Sequence, residues 1–180
     1  IIYGSRLFSL DYSRSELGKE SRRPILVDAG RSVGRALAAG DHNGDGYDDL
    51  AVASLLPALN PLASPPTKGK VKVFLGSANG LASSGTFHAR SVDRLGHALA
   101  FGDVDGDGRE ELAIGVPYDS CPRPGEAFPL VAAAGTVDVW DTNGPERTWS
   151  QKGLGGVEPE LNDRFGWALA AADFDGDGKA

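Results

Sequence analysis

With 25 glycines and 11 prolines in 180 residues, this chain is punctuated by turns too often for long helices, while 41% hydrophobic residues are enough to build a core. A net charge of −7 sets it against nucleic-acid backbone and anionic membrane surfaces, both of which need clustered Lys and Arg. Cys121 is the only cysteine, which excludes a disulfide framework or a cysteine zinc site within the chain, and no apolar run approaches the roughly 20 residues of a membrane span.

In chain order, IIYGSRLF (1–8) lacks a signal peptide's basic start and cleavage site and reads as the middle of a strand. It matches the later KVFLGSAN, and residues 24–28 fit a further strand, so residues 1–32 are expected to be part of a repeated unit. Short segments GRALAAGD (34–41), GHALAFGD (96–103) and GWALAAAD (166–173), preceded by Val33, Leu95 and Phe165, predict tightly packed inner strands. Each runs into an acidic loop: DHNGDGYDD from Asp41, DVDGDGREE from Asp103 and DFDGDGKA from Asp173. DLAVAS (49–54) and ELAIGV (111–116) predict second strands, GKVKVFLG (69–76) and GTVDVWDT (135–142) third strands with a period of two, and residues 86–90 and 148–152 outer strands. Residues 55–68 and 118–134, rich in Pro and Ala, are long insertions between second and third strands.

The copies begin at 41, 103 and 173, spacings of 62 and 70 residues, too long for leucine-rich or ankyrin repeats and suited to a four-stranded blade with generous loops. The fold class is therefore all-β: a β-propeller segment of about two and a half to three four-stranded blades, incomplete at both ends. Its units are 1–32 (partial), 33–94, 95–164 and 165–180 (partial), within a single propeller domain of a longer chain.

Alternate side chains in each loop are oxygen donors, as calcium requires: a hard cation takes six to eight oxygens at roughly 2.3–2.6 Å. Three such ions would bring the formal charge from −7 to −1, so the acidity reads as metal demand. An EF-hand would need a bidentate Glu at position twelve, where Val52 and Ile114 stand, and helical flanks, which are absent. RTX calcium repeats recur about every nine residues. The remaining alternative is Asx-rich turns without a cation, against which stands the mutual repulsion of closely spaced carboxylates.

The order Phe165-Gly166, apolar strand, DxDxDG loop, then Asp/Glu-Leu-Ala-Val/Ile and Gly115-Val116-Pro117 resembles the FG-GAP repeat of the integrin α-subunit N-terminal propeller and its bacterial relatives, over essentially the whole chain. The first copy departs from it, with Val33 for Phe and Ala53, Ser54 and Leu55 where Gly-Ala-Pro would be. The resemblance, with donor spacing, implies calcium ligands at Asp41, Asn43, Asp45, the Tyr47 carbonyl and Asp49 in the first loop. In the second it implies Asp103, Asp105, Asp107, the Arg109 carbonyl and Glu111, and in the third Asp173, Asp175, Asp177 and the Lys179 carbonyl. Gly46, Gly108 and Gly178 supply the turn at position six.

There is no GxSxG elbow, P-loop or His-x-x-x-His pair, so the segment reads as non-enzymatic. His42 reads as a surface residue and His97 as a tolerant position, since Arg35 and Trp167 fill its slot in the other copies. The resemblance implies a calcium-binding module of a secreted or cell-surface protein. It would mediate adhesion or bind a protein or glycan through residues 55–68 and 118–134, with the remaining blades of the same chain as partners and neither nucleic acid nor membrane insertion. The same repeat also resembles the propeller attached to glycosylphosphatidylinositol-specific phospholipase D, which makes a non-catalytic propeller on an extracellular hydrolase the alternative.

Overall fold

The computed structural model describes residues 33–56, 68–88, 95–122, 130–153 and 158–180. The expected partial unit at 1–32 and the middle parts of both insertions lie outside the described residues.

Two four-stranded antiparallel sheets account for the fold. The first is β1 (Val33–Gly40), β2 (Asp49–Leu56), β3 (Lys68–Leu75) and β4 (Ala82–His88), in the order β1-β2-β3-β4. The second is β5 (Leu99–Gly102), β6 (Glu111–Val116), β9 (Thr136–Asp141) and β10 (Gly144–Trp149), in the same order of connection. Up-and-down sheets of this kind are propeller blades, and each acidic loop is the hairpin between a blade's first two strands. A two-stranded arm, β7 (Cys121–Pro122) with β8 (Leu130–Val131), rises from the second insertion. Among the described residues no helix is long and apolar enough to cross a membrane.

Strict alternation gives each blade two unlike faces. In the first blade Ala38 pairs with Ala51, Ala51 with Val73 and Ala53 with Val71, so small residues share one side. In the second, Leu99 pairs with Ile114 and Phe101 with Leu112, so large residues share the other. Ala51, Ala53, Val71 and Val73 form one buried cluster with Leu99, Phe101, Leu112, Ile114 and Val116: the small face of one blade packs on the large face of the next. Fully burying a Leu or Ile contributes about 1.5–3 kcal/mol, which makes Leu112 and Ile114, both at 0% exposure, principal holders of this junction.

Three expectations are corrected. Residues 166–173 form no strand, because no strand among the described residues follows their loop to pair with them; just ahead of them Phe165 makes a parallel bridge to Gly135. The outer strands begin earlier than read, at Ala82 and Gly144, because the β9–β10 turn closes on Thr142 and Asn143 and Pro145 enters the strand. The arm β7–β8 was not expected, since two-residue strands leave no periodic signal.

Candidate metal centres

Each loop is wound by its own carboxylates. Asp41 takes the amides of Asp45 on Oδ1 (3.0 Å) and Gly46 on Oδ2 (2.8 Å). Asp103 takes Gly106 (2.6 Å) and Asp107 (3.1 Å) on Oδ1 and Gly108 on Oδ2 (2.9 Å), and Asp173 repeats this with Gly176 (2.7 Å), Asp177 (3.2 Å) and Gly178 (3.0 Å). Positions three and five each cap the amide two residues on: Asn43 with Asp45, Asp105 with Asp107, Asp175 with Asp177, then Asp45 with Tyr47, Asp107 with Arg109 and Asp177 with Lys179. These Asx turns need left-handed backbone at positions four and six, and the glycines there have φ of 73–84° in the first loop, 83–87° in the second and 79–89° in the third.

One oxygen of each capping carboxylate is left for another partner, and there the loops differ. Oxygens of Asp103, Asp105 and Glu111 lie within 4.8 Å of one another, as do those of Asp173, Asp175 and Asp177, and either group could hold a metal ion. Asp107 stands outside the second loop's group of Asp103, Asp105 and Glu111, and the first loop forms no such group among the described residues. Its reasons are local. Position three is an amide, and Asn43 Nδ2 donates to Asp45 Oδ2 (2.9 Å). Asp49, 1% exposed, serves as a pin: Oδ1 accepts the Gly76 amide (2.7 Å) and Oδ2 the His42 amide (3.1 Å). Glu111, one methylene longer, uses Oε2 for the Val104 amide (2.8 Å) and still reaches the loop.

Burial pushes the Asp49 carboxyl above its usual range, opposed by the Gly76 and His42 amides. Burial likewise raises Glu111, and the charges of Asp105, Asp107 and Asp103 raise it further. Asp173 is held below the usual range by the amide of Gly178 foremost. Glu111 thus sits under the charge of three neighbouring carboxylates, which a divalent cation would relieve.

Sequence reading missed what lies between loops. His42 is buried, not on the surface: its ring packs 5.6 Å from Phe101, and Nδ1 lies 2.8 Å from the Glu110 carbonyl. The His97 ring lies tilted against that of Trp167, centroids 4.1 Å apart. No local pattern marks either contact, since the partners are 59 to 70 residues away in the chain.

A blade hairpin with this loop has known counterparts. The model described as an FG-GAP-like repeat matches residues 41–114, and that described as an FG-GAP repeat matches 95–140. The chain carries FG-GAP repeats. It is similar to phosphatidylinositol-glycan-specific phospholipase D of Rattus norvegicus, 34% identical over 177 residues, covering 87% of this chain and 20% of that protein. It is also similar to integrin alpha-PS5 of Drosophila melanogaster (34% identical, 63% of this chain, 12% of the integrin) and integrin alpha-IIb of Homo sapiens (33% identical, 62% and 11%). The FG-GAP segment thus spans a fifth or less of the length of these relatives.

Proposed function

We propose that this segment is a calcium-binding propeller module of a secreted or cell-surface protein. Each loop would hold one ion through the ligands expected from the sequence: Asp103, Asp105, Asp107, the Arg109 carbonyl and Glu111 in the second, and their counterparts in the first and third. The observation that carries this reading is the convergence of carboxylate oxygens in the second and third loops, at the same place in consecutive repeats. Hard oxygen donors of this number and charge suit calcium, and without a bidentate twelfth ligand such sites fill at extracellular concentrations. The ion would clamp the hairpin between the first two strands and stabilise the blade by mass action. The insertions at 55–68 and 118–134 would present a protein or glycan ligand for adhesion, and other blades of the same chain would pack alongside.

Calorimetric titration with calcium, together with melting in calcium and in chelator, tests the metal reading. Saturable binding and a melting point several degrees higher with calcium are expected; no heat and no shift would end it. Loss of ligand binding on replacing 55–68 or 118–134 by short glycine linkers would support the adhesive role.

The similarity to phosphatidylinositol-glycan-specific phospholipases D favours a second reading, a propeller without catalytic residues attached to an extracellular hydrolase. Hydrolysis of glycosylphosphatidylinositol by the whole protein, undiminished by Asp103→Ala, would support it.

A further inference from the structure

Glu110 belongs to the second loop yet spends its hydrogen bonds on the first. Its amide donates to the Asp41 carbonyl (3.0 Å), and its Oε2 accepts the Asp41 amide (3.0 Å). Its carbonyl lies 2.8 Å from His42 Nδ1. Gly40 makes room for this contact, since a Cβ there would fall on Glu110 Oε2 and lie 2.6 Å from Phe101 Cβ. One side chain and its peptide units therefore fix the residue that opens the first loop, the same Asp41 whose carboxylate winds it.

The main-chain half of this link recurs one repeat on. Ala180, at the position equivalent to Glu110, donates its amide to the Asp103 carbonyl (2.7 Å), and Lys179 Nζ donates to the Asp105 carbonyl (2.8 Å). Position-seven side chains lie over the preceding loop in both cases: a Cβ on Gly44 would stand 3.0 Å from Arg109 Cγ, and one on Gly106 2.8 Å from Lys179 Cε. A bond that repeats in register is a property of the repeat, and the carboxylate clamp of Glu110 is added to it at the first junction.

We propose that Glu110 couples the two loops, so that an ion in the second raises the affinity of the first. This rests on the calcium reading above. Glu110 stands between the Arg109 carbonyl and the Glu111 carboxylate, both expected ligands of the second ion. Binding there immobilises the peptide units that hold Asp41, and the first loop then loses less freedom when it binds its own ion. Glu110 is a positioning residue, acting on the first site from the neighbouring repeat.

Terbium replaces calcium as the probe, with emission excited through Tyr47, whose carbonyl is an expected ligand of the first loop; the part of the signal lost in Tyr47→Phe belongs to that loop. In the full chain, Asp107→Asn weakens the second site and is expected to raise the half-saturating concentration of the Tyr47 signal about fivefold or more. Glu110→Ala is expected to do the same, and the double variant to add nothing further. Glu110→Gln, which keeps an acceptor for the Asp41 amide, is expected to retain most of the affinity. An unchanged Tyr47 titration in Asp107→Asn, with one fewer ion bound overall, overturns the coupling but leaves the calcium reading intact. Absence of any bound terbium or calcium in the unsubstituted chain overturns both. Should Glu110→Ala fail to fold, Asp107→Asn alone decides.

Discussion

One methylene separates the carboxylates at position nine of the first two loops, and it changes what they can do. Asp49 is short, buried and accepts an amide on each oxygen, whereas Glu111 satisfies one amide and reaches Asp103 and Asp105. With Asn43 in place of a third carboxylate as well, the first loop offers less negative charge to a cation, and charge count tunes affinity. Asp103→Ala is thus expected to abolish the tighter binding event in calorimetry and Asp41→Ala the weaker; equal losses would contradict the difference. A second residue, Asp141, titrates for a local reason. Asn143 Nδ2 donates to Oδ2 (3.1 Å), and the amides of Asn143 (2.6 Å) and Gly144 (2.9 Å) donate to Oδ1, which hold its carboxyl below the ordinary 3.8. A lowered carboxyl contributes stability above its unfolded value and loses it as pH falls through the folded one. The β9–β10 turn is therefore expected to loosen only below about pH 4. Asp141→Ala should remove that acid dependence at a cost of at most about 1 kcal/mol, given solvent screening. Amide chemical shifts at Thr142 and Asn143, followed from pH 7 to 3, check both.

At the scale of the element, the acidic hairpin is a turn whose backbone and metal site are the same object. Gly108 has φ of 87° and nothing within 4 Å of the place a Cβ would take, so Gly108→Ala meets strain and no clash. Left-handed backbone costs a non-glycine residue about 1–2 kcal/mol. Gly80, at φ 97° with equally open surroundings in the β3–β4 turn, provides the control. Both alanine variants are expected to lose similar stability in urea with chelator, but only Gly108→Ala should also weaken calcium binding at the second loop. Equal calcium affinity in the two would separate the turn from the site. These hairpins were legible because repetition aligned them: strands β2, β3, β6 and β9 fall within two residues of where alternation and turn residues set them. Less legible was everything that depends on a distant partner. The segment at 166–173 has a strand's sequence, but a ladder needs a neighbour. That Asp49 pins Gly76 and that Glu110 clamps Asp41 follow from pairing across 27 and 69 residues, and local pattern carries no trace of either. Buried His42 was misread for the same cause, since the phenylalanine covering it comes from the next blade.

At the scale of the molecule, the decisive property is that the two described blades meet small face to large face. Two small faces would leave voids and two large ones would collide, so this complementarity sets how the second blade packs on the first. Ala53 shows how little room the small face has. It is 0% exposed, and a Cβ on Gly96 of the following blade would lie only 2.8 Å from its own. Ala53→Leu would have to displace that backbone or the neighbouring Val71, and overpacking of this kind costs about 1–3 kcal/mol. Ala78, exposed in the β3–β4 turn, takes the same three added carbons into solvent, where substitutions usually stay within about 0.5 kcal/mol. Denaturant unfolding of the two variants should therefore differ by about 0.5 kcal/mol or more, with Ala53→Leu the less stable. The cost should persist at saturating calcium, because the ion clamps the hairpin at one end of the blade and does nothing to widen the junction. If calcium erased the difference, the loops and not the packed faces would be what orders one blade on the next.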